Sequence, residues 1–255
     1  MEIIEKIKTN KLDDKQTEIQ KICLHKLQSS PLPNPRNELW RLSNQSKFSN
    51  FLNYSFNEKD PKFDAPYPNT SQSTIRLVIG ENCQIKRKEK NYSIQQLSEN
   101  ELVKYIKEQI SCFDQNENWS DLLNLSLNST KNTLGFKVSG SEIPPIEIFS
   151  HASSNSLNAK TLIIFLEKNC DIDLLQVNLG KDNSSLSQST FLCLEENSSV
   201  NHGVVSYGEN KSNLLNSLNV IQQKNSEYNL GSLHFKFNYA RFEIRIKQSE
   251  GNART

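Results

Sequence analysis

The chain has 255 residues, and its 30 Lys+Arg against 29 Asp+Glu leave a net charge of +1, so no global field draws nucleic acid or an anionic membrane to it. Hydrophobic residues make up 35%, and even with the 8 Gly added this lies below the ~45–50% typical of globular domains. Asn, Ser and Lys fill the gap; the chain is too apolar and too periodic for disorder, and it implies a thin core with much polar surface, which suits stacked sheets or a solenoid better than a compact globule.

Residues 1 to about 28 read as helix, with Ile19, Ile22, Cys23 and Leu27 at i, i+3, i+4 and i+8 on one stripe. Ser29-Ser30-Pro31 and Pro33-Asn34-Pro35 end it, because proline cannot continue the helical ladder. Arg36-Asn37-Glu38-Leu39-Trp40-Arg41 follows, then Phe48, Phe51, Tyr54 and Phe56, an aromatic cluster that packs the helix onto the rest in preference to forming a ligand pocket. From Asp60 to Thr74 the chain is rich in Pro, Asn, Ser and Asp and reads as a linker or long loop. Ile75 to Ile79 is a strand, Gly80-Glu81-Asn82 a turn, and Gln84 to Lys88 a returning strand. The run Lys86-Arg87-Lys88-Glu89-Lys90 is short and contains a Glu, so it reads as a solvated strand end and not as a nucleic-acid patch. Ser98-Glu99-Asn100-Glu101 fits a capping box that opens a helix striped by Leu102, Val103, Ile106 and Ile110, and a short helix follows at about Ser120 to Leu127.

After that the chain turns wholly to strand-like pieces: Leu134 to Val138, Ile146 to Phe149, Leu162 to Leu166, Ile172 to Val177, Phe191 to Leu194, Val200 to Tyr207, Leu214 to Ile221, Leu233 to Phe237 and Ala240 to Lys247. Within them one pattern occurs twice. Leu166-Glu167-Lys168-Asn169-Cys170, Ile172, Val177 and Gly180 reappear as Leu194-Glu195-Glu196-Asn197-Ser198, Val200, Val205 and Gly208, always 28 residues later. A fixed period of ~20–50 residues marks a stacked architecture, in which one unit cannot bury its apolar face without its neighbour. The expected fold is therefore mostly β with N-terminal α: residues 1–133 form a helical and α+β region, and residues 134–255 a right-handed parallel β-helix (β-solenoid). In the last strand Phe242, Ile244 and Ile246 share one face, and Arg241, Glu243, Arg245 and Lys247 the other. The charged face is expected to be solvated with internal ion pairing, the alternative being a charged partner surface. A solenoid stopping at Thr255 would leave an open sheet edge and an exposed apolar rung, so either a partner covers that end or this is the front portion of a longer protein.

Chemistry is harder to find. Cys23, Cys83, Cys112, Cys170 and Cys193 are odd in number and widely spaced, with no C-x-x-C and no zinc-site spacing, which points to reduced thiols in a cytosol-like compartment. Cys170 and Cys193 lie in the repeat and can point inward as small hydrophobes. The N-terminus lacks a signal peptide's apolar core, and the longest apolar run, Leu162 to Leu166, is far short of the ~20 residues of a membrane span, so a soluble protein is expected. His25, His151, His202 and His234 are isolated, and each reads as a hydrogen-bonded structural residue. Walker, G-x-G-x-x-G, H-E-x-x-H, G-x-S-x-G and EF-hand motifs do not occur. No catalytic, cofactor-binding or metal-ligating residue is assigned.

Taken in order, these segments resemble the SufD family of iron–sulfur cluster assembly proteins and, more distantly, SufB. Leu32-Pro33 followed by Glu38-Leu39-Trp40-Arg41 is similar to that family's L-P…E-x-W-(K/R) signature, and Leu122-Leu123-Asn124-Leu125-Ser126-Leu127 to its LNxA segment. Pro145-Ile146-Glu147-Ile148 resembles its entry into the β-helix, and Arg241 to Ala253 a later strand with a Glu250-Gly251-Asn252-Ala253 turn. The usual Gly-containing turn after the LNxA segment is replaced by Asn128 to Asn132. The resemblance implies a non-enzymatic scaffold subunit in a bacterial cytosol, pairing with SufB and acting with the SufC ATPase while clusters form from iron and donated sulfur. It implies no cofactor bound by this chain alone, and it places the family's partner contacts mainly in later segments that these 255 residues do not contain. Two other readings remain: a β-helix enzyme acting on polysaccharide, and a stand-alone β-rich binding module.

Overall fold

The computed structural model describes residues 17–30, 33, 36, 38–54, 56, 73–80, 86–113, 118–128 and 132–255. Several sequence expectations lie outside these residues: the first part of the N-terminal helix, Pro31, Leu32, Asn34 and Pro35, most of the linker, Glu81 to Ile85 with Cys83, and Ser129 to Lys131. The helices are α1 (Glu18–Ser29), α2 (Gln45–Phe51), α3 (Glu99–Cys112) and α4 (Trp119–Leu127), with a 3₁₀ turn at Glu38–Trp40. The strands are β1 (Ile75–Val78), β2 (Lys86–Lys88), β3 (Tyr92–Gln96), β4 (Thr133–Gly140), β5 (Ile146–Ala152), β6 (Leu157–Leu166), β7 (Asp171–Gly180), β8 (Ser185–Leu194), β9 (Ser199–Gly208), β10 (Asn213–Gln222), β11 (Glu227–Phe235) and β12 (Tyr239–Gln248). None of the helices is long and apolar enough to cross a membrane among the described residues.

From β4 onward successive strands alternate between two sheets, ordered β1-β5-β7-β9-β11 and β12-β10-β8-β6-β4-β3-β2. The result is a β-solenoid of about four turns with helices at its N-terminal side. All strand pairs from β4 to β11 are parallel, and their partners stand 28 residues apart: Thr133 with Thr161, Leu157 with Ser185, Ser185 with Asn213, Ile146 with Leu174, Asp171 with Ser199, and Ser199 with Glu227. The repeat seen twice in the sequence is thus one turn of the coil. The strands run longer than their apolar cores, up to ten residues, because Ser- and Asn-rich ends also join the ladders.

A shorter period organises the corners. Asn155, Asn169, Asn183, Asn197, Lys211 and Asn225, spaced by 14, all have φ between 53° and 58°, a left-handed conformation that Asn tolerates better than most residues. One residue further on, Ser156, Ser184, Ser198, Ser212 and Ser226 each donate Oγ–H to the carbonyl three residues back at 2.6–2.7 Å. Cys170 occupies the same turn position. The asparagines also ladder from rung to rung, Asn225 to Asn197 at 3.0 Å and Asn197 to Asn169 at 3.1 Å.

Between the sheets lies an apolar core that includes Phe136, Ile146, Leu162, Ile164, Leu174, Leu192, Val200 and Leu218. A second core joins the helices to the outer face of the seven-stranded sheet, where Ile163 and Phe191 meet Cys23, Leu27, Trp40, Phe48, Tyr105, Trp119 and Leu123. The aromatic cluster shares this core with Ile19, Cys23 and Leu27 of the N-terminal helix, and within it Phe48 lies 5.3 Å from Trp40, 5.5 Å from Trp119 and 5.9 Å from Tyr239, centroid to centroid. Helix α3 opens on the expected capping box, Ser98 N–H donating to Glu101 Oε2 at 2.9 Å.

One local expectation is overturned. Ile75–Val78 and Lys86–Lys88 do not form a hairpin: β1 pairs in parallel with β5 in one sheet, while β2 pairs antiparallel with β3 in the other. The strand Tyr92–Gln96, absent from the sequence expectations, forms this second ladder and links β2 to β4. Its weak apolar content hid it, since only Ile94 of its residues is fully buried. The region before residue 134 therefore supplies strands to both sheets. The charged β2 sits at the sheet's edge with Arg87 and Lys88 exposed, a placement that discourages further pairing.

Candidate interaction surface

The last rung departs from the repeat. Partners in β10 and β12 stand 26 residues apart, Asn213 opposite Tyr239, because the corner between β11 and β12 is two residues shorter than its predecessors. Phe237 fills that corner. A Cβ on Gly180 would stand 2.8 Å from the Phe237 ring, and one on Gly208 2.7 Å from it, so the two recurring glycines make room for the ring. Lys236, where the repeat would place the third glycine, has φ 63° and holds its ammonium 5.1 Å from the Tyr207 ring centroid.

Beyond this rung the sheets are open. Strands β11 and β12 are the terminal members of their sheets, and among the described residues only Arg254 bridges the start of β11, at Glu227. Leu233, Phe235 and Ile244 are 58%, 38% and 45% exposed, and all three belong to this rung. A groove of about 700 Å³ runs between Tyr228, Leu230 and Gly231 on one side and Ile244 and Ile246 on the other. Unpaired strand edges flanked by apolar side chains are a template for another strand, which is the chemistry this surface offers. At its floor His202 Nδ1 lies 2.8 Å from Tyr228 Oη. Burial lowers the imidazole pKa to about 3 and raises the Tyr228 phenol, so both are neutral near pH 7 and neither is poised for proton transfer.

Most of the charged face of β12 is neither solvated nor a free partner surface: Arg241, Glu243 and Arg245 are half-buried, while Lys247 is exposed. The half-buried three lie against the helices. The Arg241 guanidinium sits 3.8 Å from the Trp40 ring centroid and donates to Ser43 Oγ at 3.0 Å and to the Leu39 carbonyl at 2.8 Å. Glu243 accepts from Arg241, from Arg245 at 2.6 Å and from Ser120 at 2.9 Å. The internal ion pairing expected of this face is present, and its hub is a residue that sequence reasoning missed. Asp121, in the first turn of α4, is fully buried. Its Oδ1 accepts from Ser189 at 2.8 Å, from Asn219 at 3.1 Å and from Ser217, and its Oδ2 from Arg245 at 3.1 Å. One carboxylate thus ties the helix to β8, β10 and β12. The available signal was an acid inside Trp119–Leu127, a segment with no polar stripe wide enough to be a solvent face. Asn124, in the LNxA-like segment, adds bonds to the Lys160 carbonyl and Thr161 Oγ, both at 3.0 Å.

The remaining candidates are dispersed. Cys23 is buried in the helical core and its thiol is pushed up to about 12 by burial. Cys170 packs at its turn against the inner core, and burial also raises it to about 12. Of the two repeat cysteines that could point inward, Cys193 instead faces α3, with Sγ 3.0 Å from Tyr105 Oη, and burial raises it to about 11. Thiols held protonated in this way are poor nucleophiles and poor metal ligands. Cys112 is exposed at the end of α3, and His25 on the exposed side of α1. His151 is buried in β5, and His234 lies against the Phe242 ring at 4.7 Å. Among the described residues no group of three His, Cys, Asp or Glu side chains is placed to hold a metal ion. A scan against protein-family models, a search of curated proteins and a search of solved structures each return no match to this chain.

Proposed function

We propose that the protein is a non-enzymatic scaffold subunit of the SufD kind, which pairs with a SufB-type subunit and works with a SufC-type ATPase while iron–sulfur clusters are assembled. The observation that carries this reading is the β-solenoid of about four turns with helices at its N-terminal side, which is the architecture that the resemblance implies. The order of the Trp40, LNxA-like and β-helix-entry segments supports it. Iron and sulfide are cargo of the assembly here, not a resident group of this chain. A glycan-acting enzyme would need acidic and basic side chains converging on an open groove across neighbouring rungs, and Arg241, Glu243 and Arg245 are instead occupied against the helices.

The test is co-expression of the tagged chain with SufB- and SufC-type subunits, followed by affinity capture. Retention of the SufB-type subunit is expected when the tagged chain also carries the later segments in which the resemblance places the partner contacts. The 255-residue chain alone is expected not to hold the SufC-type ATPase. Failure of that longer chain to retain the SufB-type subunit, or hydrolysis of acidic glycans by the purified protein, sinks the proposal.

A further inference from the structure

Part of the solenoid's interior is polar. Lys160, Gln188 and Asn216 are consecutive ladder partners in the seven-stranded sheet, and Ser150, Asn178 and Ser206 are consecutive partners in the five-stranded sheet. All six are 0–1% exposed. The two rows face each other. Thr190 Oγ–H bonds Gln176 Oε1 at 3.1 Å across the interior. Strands β7 and β8 run in opposite directions, so two residues further on Asn178 stands opposite Gln188; the 28-residue repeat then sets Ser150 opposite Lys160 and Ser206 opposite Asn216. One end of this column is closed by the His234–Phe242 ring contact, which continues the same two rows. At the other end Asn132 accepts from Lys160 Nζ at 3.0 Å.

Inside the column the protein leaves hydrogen-bonding capacity unused. Asn178 Nδ2 bonds Ser206 Oγ at 3.1 Å, but Gln188 Oε1, Asn216 Oδ1, Ser150 Oγ and Asn132 Nδ2 are buried and meet no hydrogen-bond partner among the described residues. A buried orphan costs ~1–3 kcal/mol, so native interiors supply a partner for such groups. The mixture says which. Two of the orphans are carbonyl acceptors, one is an amide donor and one a hydroxyl that does both. An anion would face the two carbonyls; a cation would face the amide N–H and share the space with the Lys160 ammonium. Water both donates and accepts, and Ser150 and Ser206 are shorter than the Ile148 and Val204 of the neighbouring level. We infer that the interior between the Ser150–Asn178–Ser206 and Lys160–Gln188–Asn216 rows binds a file of ordered water molecules along the solenoid axis, each bridging the two sheets.

The test counts long-lived internal waters in the full chain by oxygen-17 relaxation dispersion, with a crystal structure grown in bromide to locate them. Water between the two rows is expected, with loss of long-lived waters in the Gln188→Leu/Asn216→Leu variant. A column in which the amides bond each other directly, with no water between the rows, overturns the inference. So does bromide density at Lys160, or a water count unchanged in a folded variant. If that variant does not fold, the wild-type crystal structure decides alone.

Discussion

The two sheets are built from one repeat and end in different states. In β6 and β8 of the seven-stranded sheet nearly every residue is buried, while β7 and β9 of the five-stranded sheet alternate between buried and accessible positions along much of their length. The inner faces are alike. What differs is the outer face: helices α1, α3 and α4 and the Trp40–Phe48 cluster cover one, and Asp171, Asp173, Asn201 and Asn229 hold the other in water, bonding along the ladder at 2.9–3.1 Å between Asn201 and its neighbours. A sheet buried on both sides reads as a continuous run, and one buried on a single side alternates. The polar and charged groups trapped under the helices are consequently the ones whose loss is felt.

The largest effect expected is at the covered face. Phe191→Ala empties a site between Tyr105, Phe113 and Ile163, and should cost ~3–5 kcal/mol by urea unfolding, against ~1 kcal/mol or less for Leu175→Ala on the open face. Equal costs would mean that the helices do not dock as described. Next comes the latch. Asp121→Asn keeps the shape but removes the charge that Arg245, Ser189, Ser217 and Asn219 converge on, and should cost ~2–3 kcal/mol, whereas Asp173→Asn on the open face should stay within ~0.5 kcal/mol. A chemical-denaturation series on the two single variants decides it.

The inner face shared by both sheets is probed by acid. His202 has a folded pKa of about 3 against an ordinary 6.5, so below pH 6.5 the unfolded chain takes up a proton that the folded one refuses. The stability held above pH 6.5 is then lost at up to ~1.4 kcal/mol per pH unit as pH falls toward 3. Comparing unfolding midpoints of the wild type and His202→Leu from about pH 7 to about pH 5 should show a shallower slope in the variant; parallel slopes would contradict the burial. The smallest effect is at the corners, which serve both sheets equally. Asn197→Ala should cost ~1 kcal/mol, from the left-handed backbone and the broken Asn ladder, and Asn197→Gly less. A thermal-melt comparison in which Gly is the worse of the two would argue against the turn geometry.

Much of this was legible in residue order. The 28-residue spacing of the Leu-Glu-x-Asn segments named the coil, and the prolines, the Ser98 capping box and the apolar stripes placed α1, α3 and α4, whereas α2 (Gln45–Phe51) was read only as part of an aromatic cluster. The deeper spacing of 14 was also there, in Asn155, Asn169, Asn183, Asn197 and Asn225, but it is carried by turn residues and not by the apolar pattern. Strand β3 escaped because one buried residue makes no alternation. The pairing of β1 and β2 was misread because adjacency in sequence suggests a hairpin, whereas register is set by what each strand finds opposite it. Of the interaction surface, the alternation of β12 was visible, and the side on which its charges would be needed was not.

What the order of residues determined by itself is the local and periodic part: a repeating unit has the same turn chemistry and the same inward apolar positions wherever it occurs, so its coil follows from its spacing. Only the tertiary structure decided which outer face the helices cover, that Asp121 meets Arg245 across 124 positions of chain, and that six polar side chains line up inside the coil. Those depend on groups distant in sequence being brought into one dry space, where a hydrogen bond that water would make trivial becomes a condition of the fold.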